Sequence, residues 1–113
     1  MAKPTAHERE LTEGEAVKQF ERAVKDHPDA TSHFNLGSAY YVAHDLDAAF
    51  REFQQALALS PGLDHAHYYL GVIYKARGDK DKAREELQKV LNGSGNQLLK
   101  NQATIQLKWL NGK

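Results

Sequence analysis

Histidine is the residue type here with the most chemical reach. There are six of them and no cysteine, so imidazole and carboxylate are the ligands a metal could find. His65 and His67 lie two apart on a predicted helix, point to different faces and do not chelate together. No His-Glu-x-x-His is present, and no metal site is expected. Ser32, Ser38 and Ser60 have no nucleophile motif around them, since Gly-x-Ser-x-Gly is absent. Gly93-Ser94-Gly95 lacks the lysine and the strand context of a phosphate loop. The pairs Asp45/Asp47 and Asp79/Asp81 recur at predicted helix starts, where an acidic side chain complements the helix dipole. That role suits them better than paired catalytic carboxylates. No residue set supports an enzyme, and no cofactor is implied.

The spacing of the remaining residues shows the elements that hold these side chains. Residues 30–61 laid over 64–95 place Leu36 on Leu70, Gly37 on Gly71, Tyr40 on Tyr74, Ala49 on Ala83, Phe53 on Leu87 and Ala56 on Val90. His33 falls on His67 and Asp45 on Asp79, and every pair is 34 apart. Such self-similarity marks a repeat architecture. His33, Leu36, Gly37 and Tyr40 share one face of a helix, and Ala49, Phe53, Ala56 and Leu57 one face of the next. Ala43-His44-Asp45 and Ala76-Arg77-Gly78-Asp79 make the turns, with Gly78 as a helix stop and the aspartates as N-caps. Gly37 and Ala49 are small where two helices approach closely, and Pro61 ends the second helix. Each unit is a helix–turn–helix hairpin that must stack on a neighbour to bury its apolar side.

This pattern resembles the tetratricopeptide repeat, W-x2-L-G-x2-Y, then A-x3-F, then P. The first copy matches at Leu36, Gly37, Tyr40, Ala49, Phe53, Ala56 and Pro61, with His33 in place of Trp. The second matches at Leu70, Gly71, Tyr74 and Ala83, with Leu87 for Phe, His67 for Trp and no closing Pro. Ala16, Phe20, Ala23 and Pro28 copy the second-helix spacing, with Thr12 and Glu15 as a capping box. The chain therefore reads as an all-α superhelix of about six helices. A loose segment over 1–11 precedes a half repeat over 12–29, repeat one over 30–63, repeat two over 64–95 and a capping helix over 96–110, in a domain running to 113. The helices are expected near 13–27, 30–43, 46–60, 64–77, 80–92 and 97–110, with Leu99, Ala103, Leu107 and Leu110 covering the last hairpin.

The resemblance implies a concave surface lined by the first helix of each hairpin, which takes a peptide or helix of another protein. On the first helix the residues turned that way are Thr31, Phe34, Asn35, Ser38, Tyr41 and Val42, and on the next His65, Tyr68, Tyr69, Val72, Lys75 and Ala76. Phe34 is then expected beside Tyr68, Asn35 beside Tyr69 and Tyr41 beside Lys75. Aromatic side chains bury much area at low entropic cost, which suits an interface. Replacing Phe34 and Tyr69 by Ala is expected to remove binding without unfolding. Relatives that grip acidic chaperone tails use Lys, Arg and Asn on several groove helices. Here the first helix offers Asn35 and the second only Lys75, so an apolar or aromatic segment fits better.

Lys+Arg and Asp+Glu are equal at 15 each, which gives no pull towards nucleic acid. Residues 1–61 hold six basic and ten acidic side chains, residues 62–113 nine and five. With Leu98, Ile105 and Trp109 forming a second apolar stripe on the last helix, and Leu11 and Val17 uncovered on the first, head-to-tail self-association as a scaffold is the alternative. The polar start and the lack of a long apolar run point to a soluble, cytoplasmic chain or a soluble domain of a larger protein, without membrane insertion.

Overall fold

A computed structural model describes residues 12–112 of the chain. The loose segment expected over 1–11, and Leu11 with it, lies outside the described residues. Six helices follow in order: α1 (Glu13–Asp26), α2 (Ala30–Val42), α3 (Leu46–Leu59), α4 (Asp64–Ala76), α5 (Lys80–Gly93) and α6 (Gln97–Asn111).

Local chemistry sets most of the boundaries. Thr12 and Glu15 close a reciprocal capping box at α1, and Asp29 with Ser32 closes another at α2. Asp45, Asp79 and Asn96 accept from the backbone N–H three residues on, at α3, α5 and α6. Each satisfies a donor the helix start would otherwise leave open. Only α4 begins without a side-chain cap, after Leu63. Both hairpin turns close the same way: the N–H of Asp45 donates to Tyr40 and that of Asp79 to Tyr74, at 2.9 Å. Each turn passes through one residue of positive φ, His44 at 65° and Gly78 at 84°. Glycine adopts this conformation without strain, whereas the Cβ of a histidine crowds the backbone carbonyl there.

The hairpins are α2–α3 and α4–α5, and they are tight because each first helix carries a glycine at the crossing. A Cβ on Gly37 would stand 2.9 Å from two ring carbons of Phe53, and one on Gly71 would stand 2.7 Å from Cγ of Leu87. A histidine–glutamate rung ties each hairpin together: His33 Nδ1 to Glu52 and His67 Nδ1 to Glu86, both at 2.7 Å. His67 Nε2 also meets the carbonyl of Pro61 at 2.8 Å. The two histidines in the tryptophan positions are thus edge hydrogen-bonding residues. One core joins Ala49 and Phe53 of α3 to Ala66, Leu70 and Ile73 of α4. The other joins Ala83, Leu87 and Val90 of α5 to Leu99, Ala103, Leu107 and Leu110 of α6. α1 buries no residue fully, because it packs chiefly on α2. The radius of gyration is 15.8 Å, against about 13 Å for a compact chain of this length, as a stacked array requires.

The α1–α2 seam carries a pH signature. Tyr40 donates to Glu21 at 2.8 Å, and its phenol is pushed up to about 12 by burial first and by that carboxylate second. The folded state then holds this proton more tightly than the unfolded chain, whose tyrosines titrate near 10. The stability it contributes is whole below pH 10 and lost as pH rises towards 12. The melting temperature is expected to fall across that interval, and Tyr40→Phe to flatten part of the fall. Parallel profiles for the two proteins would remove Tyr40 from this role.

Candidate functional site

α2, α4 and α6 form one layer, with α1, α3 and α5 on the other side. Within the first layer neighbouring helices touch directly. α2 meets α4 through rings: Phe34 lies 6.2 Å from Tyr69 and 6.4 Å from His65, and Tyr41 lies 5.0 Å from Tyr69. α4 meets α6 where Lys75 Nζ donates to Gln106 Oε1 at 2.7 Å and stands 4.9 Å from the centroid of Trp109. Gln106 Nε2 is also 3.5 Å from the Tyr68 hydroxyl. The outer helices α3 and α5 pack chiefly on first-layer helices. Helices that crowd together mark the inner side of a curved stack.

Counting along each first-layer helix from its start aligns three faces. The second residue is Thr31, His65 or Leu98, the ninth Ser38, Val72 or Ile105, and the thirteenth Val42, Ala76 or Trp109. These positions point away from the core on all three helices, along the middle of the inner face. On their two sides run the flanks that meet the neighbouring helices. Phe34 and Tyr41 flank α2 towards α4, Tyr69 flanks α4 towards α2, and Tyr68 and Lys75 flank α4 towards α6. Asn35 lies on the opposite flank of α2, the side away from α4.

This geometry corrects three expected neighbours. Phe34 meets Tyr69, Phe53 and His65 rather than Tyr68. Tyr41 meets Tyr69 rather than Lys75, and Tyr69 meets those α2 rings rather than Asn35. Residues at equivalent positions of successive repeats point in parallel, so they do not face one another across the seam. Contact needs residues from facing flanks. The aromatic stripe is therefore wall and packing at once. Tyr69 stacks on the buried Phe53 at 5.3 Å and 11° between planes, with Phe34 at 5.6 Å from the same ring. Alanine at Phe34 and Tyr69 opens the interface between repeats as well as the surface, so that pair does not separate binding from folding. Burial, with the neighbouring phenols adding to it, raises the Tyr41 phenol above its ordinary value.

The largest departure from the sequence reading concerns α6. Leu98, Ile105 and Trp109 are 68%, 59% and 65% exposed, as expected of a second apolar stripe, but they do not stand at the end of the stack. They continue the inner face begun by α2 and α4. At the hairpin side of α6, where α2 and α4 carry Gly37 and Gly71, stands Thr104, and in place of His33 and His67 stands Lys100. A further second helix would meet the Thr104 side chain where glycine lets Phe53 and Leu87 approach. The sequence reading missed Gln106 and Lys108 as members of the face. The signal was the spacing of helix starts at 30, 64 and 97, which puts α6 in register with the first helices of the repeats.

A family model for the tetratricopeptide repeat matches residues 14–64, and a second matches residues 41–100. The chain belongs to the tetratricopeptide-repeat family. Human tetratricopeptide repeat protein 13 is 30% identical over 77 residues, which are 68% of this chain and 9% of that protein. The chain thus spans a small part of its curated relative. Among solved structures, the first tetratricopeptide-repeat domain of Spaghetti (RPAP3), bound to the HSP90 peptide SRMEEVD, superposes with a TM-score of 0.79 at 21% identity, over 88% of this chain and 78% of that one. MamA matches with a TM-score of 0.74 at 27% identity, over 88% of this chain and 59% of its own. These likenesses place the six helices in the all-α tetratricopeptide superhelix. No helix among the described residues is long and apolar enough to cross a membrane.

Proposed function

We propose that this tetratricopeptide-repeat chain is a protein-interaction adaptor that takes a peptide or helical segment of another protein on the inner face of α2, α4 and α6. The observation that carries the reading is the alignment of the three first-layer helices. Apart from His65, their mid-face residues are small or apolar, and four of them, Val42, Leu98, Ile105 and Trp109, are large and mostly exposed. A run of exposed apolar residues rimmed by polar ones is the usual mark of a docking surface. The binding of an HSP90 peptide by the Spaghetti domain supports a peptide ligand for this fold. The ligand chemistry here differs, because on this face α2 offers no Lys or Arg, α4 only Lys75 and α6 only Lys108. Recognition that rests on several carboxylates needs more charged donors than that.

A photo-crosslinking residue placed at Ser38 is expected to capture a partner from the native extract, whereas one at Gln55, exposed on α3, captures none. Capture from Gln55 alone would move the interface to the outer layer and end this reading. Synthetic SRMEEVD is expected to compete weakly, and efficient competition would assign an acidic-tail ligand instead.

The scaffold alternative draws on the exposure of Leu98, Ile105 and Trp109. It receives less support, because these residues lie on the inner face while the hairpin side of α6 presents Lys100 and Thr104. Sedimentation at rising concentration decides it: an assembling scaffold gives a growing mass.

A further inference from the structure

We propose that the α6 end of the inner face is an anchor for a partner segment that carries a large apolar side chain beside a carboxylate. This rests on the groove reading above and names the ligand chemistry within it.

Trp109 is the only tryptophan of the chain and is mostly exposed, on a face where Ile105 is exposed as well. An indole left in water beside a second apolar side chain gains when an apolar group covers it. Its surroundings are organised. The Lys75 ammonium is fixed above the ring by the carbonyl of Gln106, on the neighbouring helix. Lys108 borders the same ring, in an open cavity of about 460 Å³ lined by Ile105, Lys108, Trp109 and Gly112. A lysine already held in place loses less freedom on meeting an anion than one free in solvent. Lys75 therefore stands ready for an acidic group that arrives with the apolar one, and Lys108 adds positive charge at the same ring.

The charge distribution favours the same ligand. Of the 15 acidic residues in the chain, the three first-layer helices hold one, Asp64 at the start of α4, against Lys75, Lys100 and Lys108. Acidic side chains are concentrated on the outer layer and in the turns. The inner face thus repels few carboxylates, and of the three lysines on these helices two, Lys75 and Lys108, stand by Trp109 while Lys100 lies on the hairpin side. One ordered cation and one neighbouring cation beside an indole suit a single carboxylate next to a Leu, Ile, Phe or Met side chain at either lysine, and are too few for a run of acids.

The full chain is panned against a displayed library of random 16-residue peptides, and affinities of recovered peptides are measured through the Trp109 emission and by calorimetry. Recovered sequences are expected to place Asp or Glu within four positions of a large apolar residue. Trp109→Ser is expected to weaken them at least about tenfold, as loss of an interface aromatic does. Lys75→Gln combined with Lys108→Gln is expected to weaken them severalfold and to flatten their salt dependence. Trp109 is mostly exposed, so Trp109→Ser should melt close to the parent, while the lysine pair should melt slightly lower because Lys75 loses its bond to Gln106. Ser38→Arg, which obstructs the middle of the face, separates the two readings. If Ser38→Arg abolishes binding while Trp109→Ser leaves it intact, the anchor is overturned and the groove stands. If peptides bind regardless of both substitutions, both readings fall. Absence of any enriched peptide, or a dimer of the chain that Trp109→Ser dissolves, likewise overturns the anchor, the latter giving the face to a second copy.

Discussion

Phe53→Ala is expected to cost about 3–5 kcal/mol, the range for removing a fully buried aromatic ring. The ring is wholly inaccessible and is placed where three helices meet. It fills the space beside Gly37, stacks on Tyr69 and touches Phe34. Against the roughly 5–15 kcal/mol that holds a domain together, such a loss leaves the chain marginal or unfolded near body temperature. In a stacked array each unit leans on its neighbours, so a break at Phe53 uncouples α1–α3 from α4–α6. Urea denaturation followed by circular dichroism measures it. A cost under about 1 kcal/mol would show that the seam is held elsewhere. The substitution should also weaken partner binding, because Phe34 and Tyr69 lose the ring that orients them.

The second large effect is expected at Gly71. In an open helix, Gly→Ala gains about 1 kcal/mol. At Gly71 the added carbon would stand 2.7 and 2.9 Å from Cγ and Cδ2 of Leu87. The nearer atom is the branch point of a fully buried side chain, so it cannot swing away like a chain end. Overpacking of this kind costs about 1–3 kcal/mol, which exceeds the helix gain, and a net loss of about 1–2 kcal/mol follows. Gly14 supplies the control: nothing lies within 4 Å of a Cβ there, and Gly14→Ala should stabilise. Leu87→Ala alone opens a cavity, but added to Gly71→Ala it also removes the collision. The double variant should therefore be more stable than the two single losses added together. Simple additivity would mean that the glycine serves backbone flexibility instead of close helix approach.

These two residues also show what could be read before folding. Leu36-Gly37 and Leu70-Gly71, each followed by a tyrosine, announced a hairpin crossing because the required shape is local: a small residue on one helix, a large one 16 positions later on the next. Helix boundaries were legible for the same reason. Thr12, Asp45 and Asp79 cap their helices through hydrogen bonds that reach only three residues along the chain, so neighbours in sequence are enough to specify them. Asp29 with Ser32 followed the same logic and was overlooked.

The sequence by itself thus determined the six helices, the apolar side of each and the 34-residue stacking unit, since all of these follow from periodicity within a helix or between copies. Tertiary structure alone decided which residues meet across the seams. Phe34 against Tyr69, Tyr41 against Tyr69 and Lys75 against Trp109 depend on the rotation of one helix relative to the next, and that rotation comes from how Phe53 and Leu87 fill the space below. Tertiary structure also decided the place of α6. Its polar Lys100 and Thr104 and its apolar Leu98, Ile105 and Trp109 form two stripes either of which could have faced outward. Burial of Leu99, Ala103, Leu107 and Leu110 against α5 sets the helix at one angle, and that angle turns the tryptophan onto the inner face beside Lys75.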